Sequence, residues 1–449
     1  MKLFFISLGC DKNLTDTERM LGFLRDAGFE ITDDEYEAEA AVINTCCFIH
    51  DAKQESIESI LSTAELKKDG ALKYLIVTGC LAERYRDDIL REIPEVDAVI
   101  GTTAYDELVN VLKGLERGER YAAAVLKSPD YIPLRGQSRV RSDISHYSYL
   151  KIAEGCDKHC TYCVIPGIKG PYRSIPFEEL LAEARELALD GVNELTVIAQ
   201  ETTLYGTDLY GRRRLPELLK ALCGIDGIRW IRLMYCYPEE ITDELIDVFA
   251  TEPKLCHYID MPIQHASDDV LHRMGRRTDR AQICGIIDRM RARIPDMVFR
   301  TSLISGFPAE SEEDHLVLKS FLAEYRLDRV GVFTYSREED TPAYRMKGQI
   351  PARVKNARRR ELMLVQQEVV FEKNRNLTGQ TLDVIIDGRL PEEDVYIGRT
   401  YMDAPGVDGC VFVSTSRDLM SGDIIRVLIR DFKGYDLVGD EVQDEDEEL

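Results

Sequence analysis

Residues 147–165 read YSYLKIAEGCDKHCTYCVI, a short strand-like run leading into three cysteines, Cys156, Cys160 and Cys163, at C-x3-C-x2-C spacing. Three thiolates so placed can hold three irons of a cubane [4Fe-4S] cluster, leaving the fourth iron open to the amine and carboxylate of a small molecule such as S-adenosylmethionine. Structural zinc is the competing reading. It usually closes with four ligands, often as two Cys or Cys/His pairs, and here only His159 stands nearby. Spacing and context favour the cluster.

Outward from the triplet, apolar runs alternate with helical patterns from Tyr149 to Glu338. The runs SYLKIAEG, ELTVIAQ, IRWIRLMY, CHYIDMPI, MVFRTSLISGFP and RVGVFTYS read as six strands. The helices between them fall near 177–189, 215–223, 243–249, across 268–294 and near 312–325. This predicts an α/β fold, a partial parallel (β/α)6 barrel over residues 146–375, with the cysteine triplet after the first strand, where such barrels carry their chemistry. Residues 351–376 (ARVKNARRREL and onward) form a basic helix leading out of the barrel. A solvated surface and a docking face are equally open readings of it.

Residues 1–120 show the same alternation with shorter spacing and predict an open parallel α/β domain. Its first three strand-like runs end in Cys10, Cys46 and Cys80. Parallel strands joined by right-handed crossovers place these ends along one edge, where open α/β sheets bind ligands. A second three-cysteine cluster is therefore expected there, weighed against simple packing of small buried thiols. Cys47 adjoins Cys46, but neighbouring residues on an extended segment point opposite ways, and Cys46 is the expected ligand. Cys223, Cys236, Cys256, Cys284 and Cys410 lack site-like spacing and read as buried residues.

Residues 121–145 read as a linker, 376–440 as a small antiparallel, OB-like β-barrel, and 441–449 as a disordered acidic tail. The net charge over 449 residues is −24, and the segment from Asn376 onward carries six basic against eighteen acidic side chains. Phosphate binding relies on Lys and Arg, so this balance disfavours nucleic acid and favours a basic protein partner. The opening MKLFFISLGC has too short an apolar run for a signal peptide and no small-residue cleavage site, and no later stretch is long enough for a bilayer. Reduced thiols in the cytoplasm are expected.

Along nearly its full length the chain resembles the methylthiotransferase family of radical S-adenosylmethionine enzymes. That family joins a cluster-binding N-terminal domain, a radical barrel and a C-terminal β-barrel called TRAM. The segments SLGCDKNLTDTE, INTCCFI, KIAEGCDKHCTYCVIPGIKGPYRS, IAQETTLYGTDLYG and MPIQHAS carry the resemblance. They look like the branch acting on a ribosomal protein rather than the branch acting on a tRNA adenosine. Asp11, Cys47, Ile175 and Ala309 depart from the usual pattern, where Pro, Gly, Arg and Gly are common, but no cluster thiolate is lost.

The resemblance implies two [4Fe-4S] clusters and S-adenosylmethionine as cofactors. The second cluster, on Cys10, Cys46 and Cys80, would present a sulfur on its open iron. The expected product is a methylthio group on the β-carbon of an aspartate in small-subunit ribosomal protein twelve, free or within the ribosome. An electron donor is implied, and neither tRNA nor membrane is an expected partner. Cofactor contacts are expected at Gln200 and Glu201, at the turn Gly306, Phe307, Pro308 and Glu310, and at Tyr162 beside the last triplet cysteine. His265 reads as an ordinary hydrogen-bonded histidine, and no residue is assigned to proton transfer. A non-catalytic electron-transfer protein with two clusters is the alternative of another class.

Overall fold

The computed structural model describes residues 1–132, 139–143, 145–390 and 394–442. Part of the expected linker and most of the expected acidic tail lie outside the described residues. The chain divides into two compact units: Met1–Ile144, Ala153–Arg173 and Ser336–Tyr344 form one, and Ser145–Ile152, Ser174–Tyr335 and Arg345–Leu449 the other.

In the first unit, β1 (Lys2–Ser7), β2 (Glu30–Ile31), β3 (Ala40–Thr45), β4 (Tyr74–Gly79) and β5 (Ala98–Ile100) form a parallel sheet in the order β2-β1-β3-β4-β5. Every residue of the β3 run AAVINT is buried, as parallel strands covered on both faces require. One face packs Ile43, Val77 and Leu81; the other packs Leu3, Val42 and Ile76. The crossover helices are α1 (Asp11–Asp26), α2 (His50–Lys68), α3 (Cys80–Tyr85), α4 (Asp87–Glu92) and α5 (Leu108–Glu116). Helices α3 and α4 are separated at Arg86, which takes a left-handed φ of 42°. Residues entering the expected linker stay with the sheet, where Val125 bridges to Ile100. The cysteine triplet is followed by α6 (Ile165–Lys169), whose Val164 and Ile168 join the core of this same unit.

The second unit contains β6 (Tyr147–Lys151), β7 (Glu194–Ile198), β8 (Trp230–Leu233), β9 (Leu255–Asp260), β10 (Val298–Ser305) and β11 (Arg329–Thr334). They lie in chain order in one parallel six-stranded sheet, the expected partial barrel. Its helices are α7 (Phe177–Leu189), α8 (Thr207–Tyr210), α9 (Leu215–Cys223), α10 (Asp243–Thr251), α11 (Asp268–Arg273), α12 (Arg280–Arg293) and α13 (Glu312–Tyr325). The basic helix α14 (Ala352–Leu377) turns part of its charge inward. Arg358 is buried against Glu310, and Arg359 donates to the Val332 carbonyl at 2.9 Å.

The C-terminal barrel closes in the order β12 (Thr381–Arg389), β13 (Val395–Arg399), β14 (Val411–Ser414), β16 (Asp436–Glu441), β15 (Ile424–Lys433). Two expectations need correction. The β14–β16 pair is parallel, so the barrel is not wholly antiparallel. Glu441, expected to begin the tail, instead ends a fifth strand, because Leu437 and its neighbours pair with both β14 and β15.

The end of β13 and the loop that follows it reach five strands of the six-stranded sheet through buried charged and polar groups. Arg399 meets Glu194 at 2.8 Å, Arg232 donates to the Tyr401 carbonyl at 2.6 Å, and Arg329 meets Asp403 at 2.7 Å. Asp408 accepts from the Tyr258 hydroxyl at 2.7 Å and pairs with Arg300 at 3.4 Å. Glu194 and Arg232 are fully buried, which in a low-dielectric setting demands this degree of pairing.

Candidate iron–sulfur and cofactor sites

Register within the first sheet decides where its cysteines stand. Ser7 pairs with Asn44, and Thr45 with Gly79, so the chain leaves β1, β3 and β4 at one edge. The next residues deliver Cys10 at the start of α1, Cys46 directly after β3 and Cys80 as the first residue of α3. Asn13 ties the three together. Its amide donates to the Leu8 and Thr45 carbonyls at 3.0 and 2.8 Å, and its oxygen lies 3.8 Å from the Cys80 sulfur. Gly9 has φ +93°, and a Cβ there would stand 2.9 Å from the Cys46 sulfur, so only glycine lets the Cys10 turn approach Cys46. Ser56 fixes Cys46 by accepting from its N–H and donating to its carbonyl, at 3.0 and 2.8 Å.

Burial raises the Cys46 and Cys80 thiols, and neighbouring cysteines push in the same direction. Cys47 turns to a different environment. Burial pushes its thiol up to about 12 against the opposing pull of Arg84, whose guanidinium is locked to Glu338 at 3.1 Å. Cys46 lies against the Cys10 turn, whereas Cys47 packs with Cys80 in the core beneath the sheet edge, and both push the Cys80 thiol up.

The triplet loop is held at both ends. The Cys156 N–H donates to the Gly170 carbonyl at 3.2 Å, and the Thr161 carbonyl accepts from Ala343 at 2.9 Å. Gly155, φ +79°, lies so close to Pro171 that a Cβ would stand 2.0 Å from its carbonyl oxygen. His159 takes a left-handed φ of 51° inside the loop. Cys156 and Cys160 are buried, and burial with two neighbouring thiols pushes Cys163 up to about 12. Tyr162 is half-buried. Among the described residues no three His, Cys, Asp or Glu side chains are drawn together around a single ion. One set gathers thiols from three strand ends and the other from a single loop, in which the Cys163 N–H donates to the Cys160 carbonyl at 3.0 Å, and three thiolates can bind three different irons of a cubane.

In the second unit the expected cofactor residues occupy two strand-end loops. Glu201, fully buried, accepts from the Thr203 N–H at 2.8 Å, and the Thr202 N–H donates to the Tyr235 carbonyl at 3.1 Å. Gln200 stands beside them at the end of β7. After β10, Gly306 has φ +75° and a Cβ there would meet the Lys355 stem at 2.3 Å. Phe307 and Pro308 are buried, and Phe307 meets Tyr335 edge-on at 5.4 Å. The Glu310 carboxylate accepts from Gly306 and Phe307 N–H groups at 2.6 and 3.1 Å and from Arg358 at 2.8 Å. Its side chain holds the turn, and the Glu310 N–H closes it by donating to the Phe307 carbonyl at 2.9 Å. His265 is buried, its Nδ1 accepts from Ser267 at 3.0 Å, and burial pulls it down to about 3, so it is neutral. Asn13 and Lys169 were not singled out by the sequence. A lone amide and a lysine in a glycine-flanked stretch carry no spacing signal.

A six-stranded parallel barrel sheet with this triplet after its first strand defines a radical S-adenosylmethionine enzyme. The Radical SAM superfamily profile matches residues 150–322, the family described as uncharacterized protein family UPF0004 matches 2–101, and the TRAM domain matches 378–442. The chain is 59% identical to the ribosomal protein uS12 methylthiotransferase RimO of Lachnoclostridium phytofermentans over 98% of this chain and 99% of the relative. It is 46% identical to that of Acetivibrio thermocellus, over 99% of each, and 47% identical to that of Clostridioides difficile, over 98% of each. The chain belongs to the RimO family of methylthiotransferases. Among solved structures, the radical S-adenosylmethionine methyltransferase TsrM of Kitasatospora setae shares the fold, with TM-score 0.58 and 13% identity over 76% of each chain. Among the described residues no helix is long and apolar enough to cross a membrane.

Proposed function

We propose that this protein adds a methylthio group to the β-carbon of an aspartate in ribosomal protein uS12, using two [4Fe-4S] clusters. Cys156, Cys160 and Cys163 would hold one cluster, and Cys10, Cys46 and Cys80 the other. The observation that carries this reading is the gathering of both cysteine sets, from four distant stretches of sequence, within one compact unit. Full-length similarity to uS12 methylthiotransferases supports the choice of target.

When bound, the first cluster supplies the electron that splits S-adenosylmethionine to a 5′-deoxyadenosyl radical, and the second supplies sulfur for the group transferred. The chain's own residues orient and enclose. Gly306 and Phe307 offer a backbone turn without protruding side chains, kept in shape by Glu310 and Arg358. Gln200, Glu201 and Tyr162 are assigned to the same cofactor. The acidic C-terminal segment suits a basic protein target, free or assembled, and repels tRNA. A separate reductant supplies electrons, and a reducing cytoplasm keeps the cysteines outside the clusters as thiols.

The test is mass spectrometry of uS12 after anaerobic incubation with the reconstituted, reduced enzyme and S-adenosylmethionine. The aspartate-containing peptide should gain roughly 46 Da, the exchange of hydrogen for SCH3. Modification of a tRNA adenosine with uS12 untouched would replace this assignment by the tRNA reading.

A further inference from the structure

Lys169 closes α6 with its side chain 4% exposed, a burial that lysine rarely tolerates without partners. Its ammonium lies 3.2 Å from Asp16 and 3.4 Å from Glu154. These acids belong to the two cysteine-bearing segments: Asp16 is in the helix that begins just after Cys10, and Glu154 lies two residues before Cys156. Helix α6 itself begins two residues after Cys163 and packs against α3, whose first residue is Cys80. The Ile168 carbonyl, next to Lys169, is held by the Thr102 hydroxyl at 3.0 Å, so the backbone carrying the lysine is fixed.

We propose that Lys169 is the fixed counter-cation of the cluster on Cys10, Cys46 and Cys80, a positioning residue that enables its open iron to keep an anionic sulfur ligand. The inference rests on the two-cluster reading. A cubane with three thiolates is already anionic, and a sulfur anion on the fourth iron adds charge in a place with little water. A buried ammonium acts most strongly there, because the interior screens it weakly. One-electron reduction of such a cluster adds one negative charge and no proton, so removing the ammonium makes reduction harder.

The experiment uses the full chain with Cys156, Cys160 and Cys163 replaced by Ala, which leaves only the N-terminal site to be loaded with iron. In that background Lys169→Met, Lys169→Arg and Asp16→Asn are compared by dithionite titration and by methanethiolate binding, both followed by electron paramagnetic resonance. Lys169→Met should lower the midpoint potential and weaken methanethiolate binding by about tenfold. Lys169→Arg should restore both, and Asp16→Asn, which removes a negative charge, should raise the potential. A merely structural ion pair would make all three variants shift alike, and that result, or an unmoved potential in Lys169→Met, overturns the proposal. Should Lys169→Met not fold, the Asp16→Asn shift decides alone: no rise means no counter-cation role. Absence of iron in the triple-Ala chain would remove the second cluster and this proposal with it, whereas iron with unmoved potentials would remove the role of Lys169 only.

Discussion

Replacing Arg399 by Met should loosen the C-terminal barrel from the six-stranded sheet by about 3 kcal/mol. Arg399 is 3% exposed and binds Glu194 at 2.8 Å and Asp387 with two nitrogens at 2.9 Å each. Removing one partner of a buried ion pair costs about 3–5 kcal/mol, chiefly because the other charge is left without compensation. Here Glu194 keeps Arg232 at 3.1 Å, and Asp387 is 25% exposed and can rehydrate, which places the loss at the lower end. Met approximates the length and apolar volume of the arginine stem, so little of the loss comes from a cavity. Trp230, the single tryptophan, lies two residues before Arg232 and reports the unfolding of this unit by fluorescence in urea. A loss of about 3 kcal/mol is roughly a hundredfold in the unfolding equilibrium. Arg399→Lys should recover little, since an ammonium cannot reproduce the forked contact. A loss below about 1 kcal/mol, the range of exposed pairs, would refute the view that this network is dry and rigid.

Acid should release the same junction. Glu194 is buried, yet Arg399 and Arg232 hold its carboxyl below the ordinary value of 4.5. Its contribution is therefore complete above that value and is lost as pH falls through the lower folded value. Asp260 and Asp403, raised by burial, contribute in the opposite sense, so the early loss of Trp230 signal on acidification should vanish in Glu194→Gln. Cys46→Ala should lower bound iron by about one cluster, while Cys47→Gly leaves iron content intact, and equal losses would reassign the ligand. Ala309 sits at φ +61°, a left-handed conformation that costs a residue with a Cβ about 1 kcal/mol, so Ala309→Gly should raise thermal stability, and a lower Tm would contradict the strain. Glu310→Gln removes the charge facing Arg358 and should weaken S-adenosylmethionine binding measured by calorimetry by about tenfold, whereas unchanged affinity would detach the turn from the cofactor.

Much of this architecture was legible because parallel strands buried on both faces read as apolar runs. AAVINT and ELTVI are buried throughout, and the boundaries of α7, α9 and α13 coincide with their periodic stretches. The cysteine positions were legible for a topological reason, since strands in register must end along one edge. The fifth strand of the terminal barrel was hidden by its charges, because DLVGDE has only Leu437 and Val438, side by side, as apolar residues between acids and merges with the acidic end. The charged junction was hidden in the same way: Arg232 in IRWIRLMY and Arg300 in MVFRTSLIS read as solvent-facing residues until a loop some hundred residues later supplies Tyr401 and Asp408.

Sequence order also conceals the allegiance of the triplet loop. It follows directly from β6, a strand of the second unit, yet its residues cluster with the N-terminal sheet. Three contacts account for this: Val164 and Ile168 enter that sheet's core, Thr102 holds the Ile168 carbonyl, and Lys169 binds Asp16. The apolar contribution is a few kcal/mol for two such side chains, and the buried ion pair adds orientation more than energy. Ties from the loop to the sheet fix the two cysteine sets in one frame. Weakening them through Thr102→Val, which removes the hydroxyl that holds the Ile168 carbonyl, should leave iron content intact while lowering the yield of methylthiolated uS12 per 5′-deoxyadenosine formed. An unchanged ratio would mean that the shared frame serves stability alone.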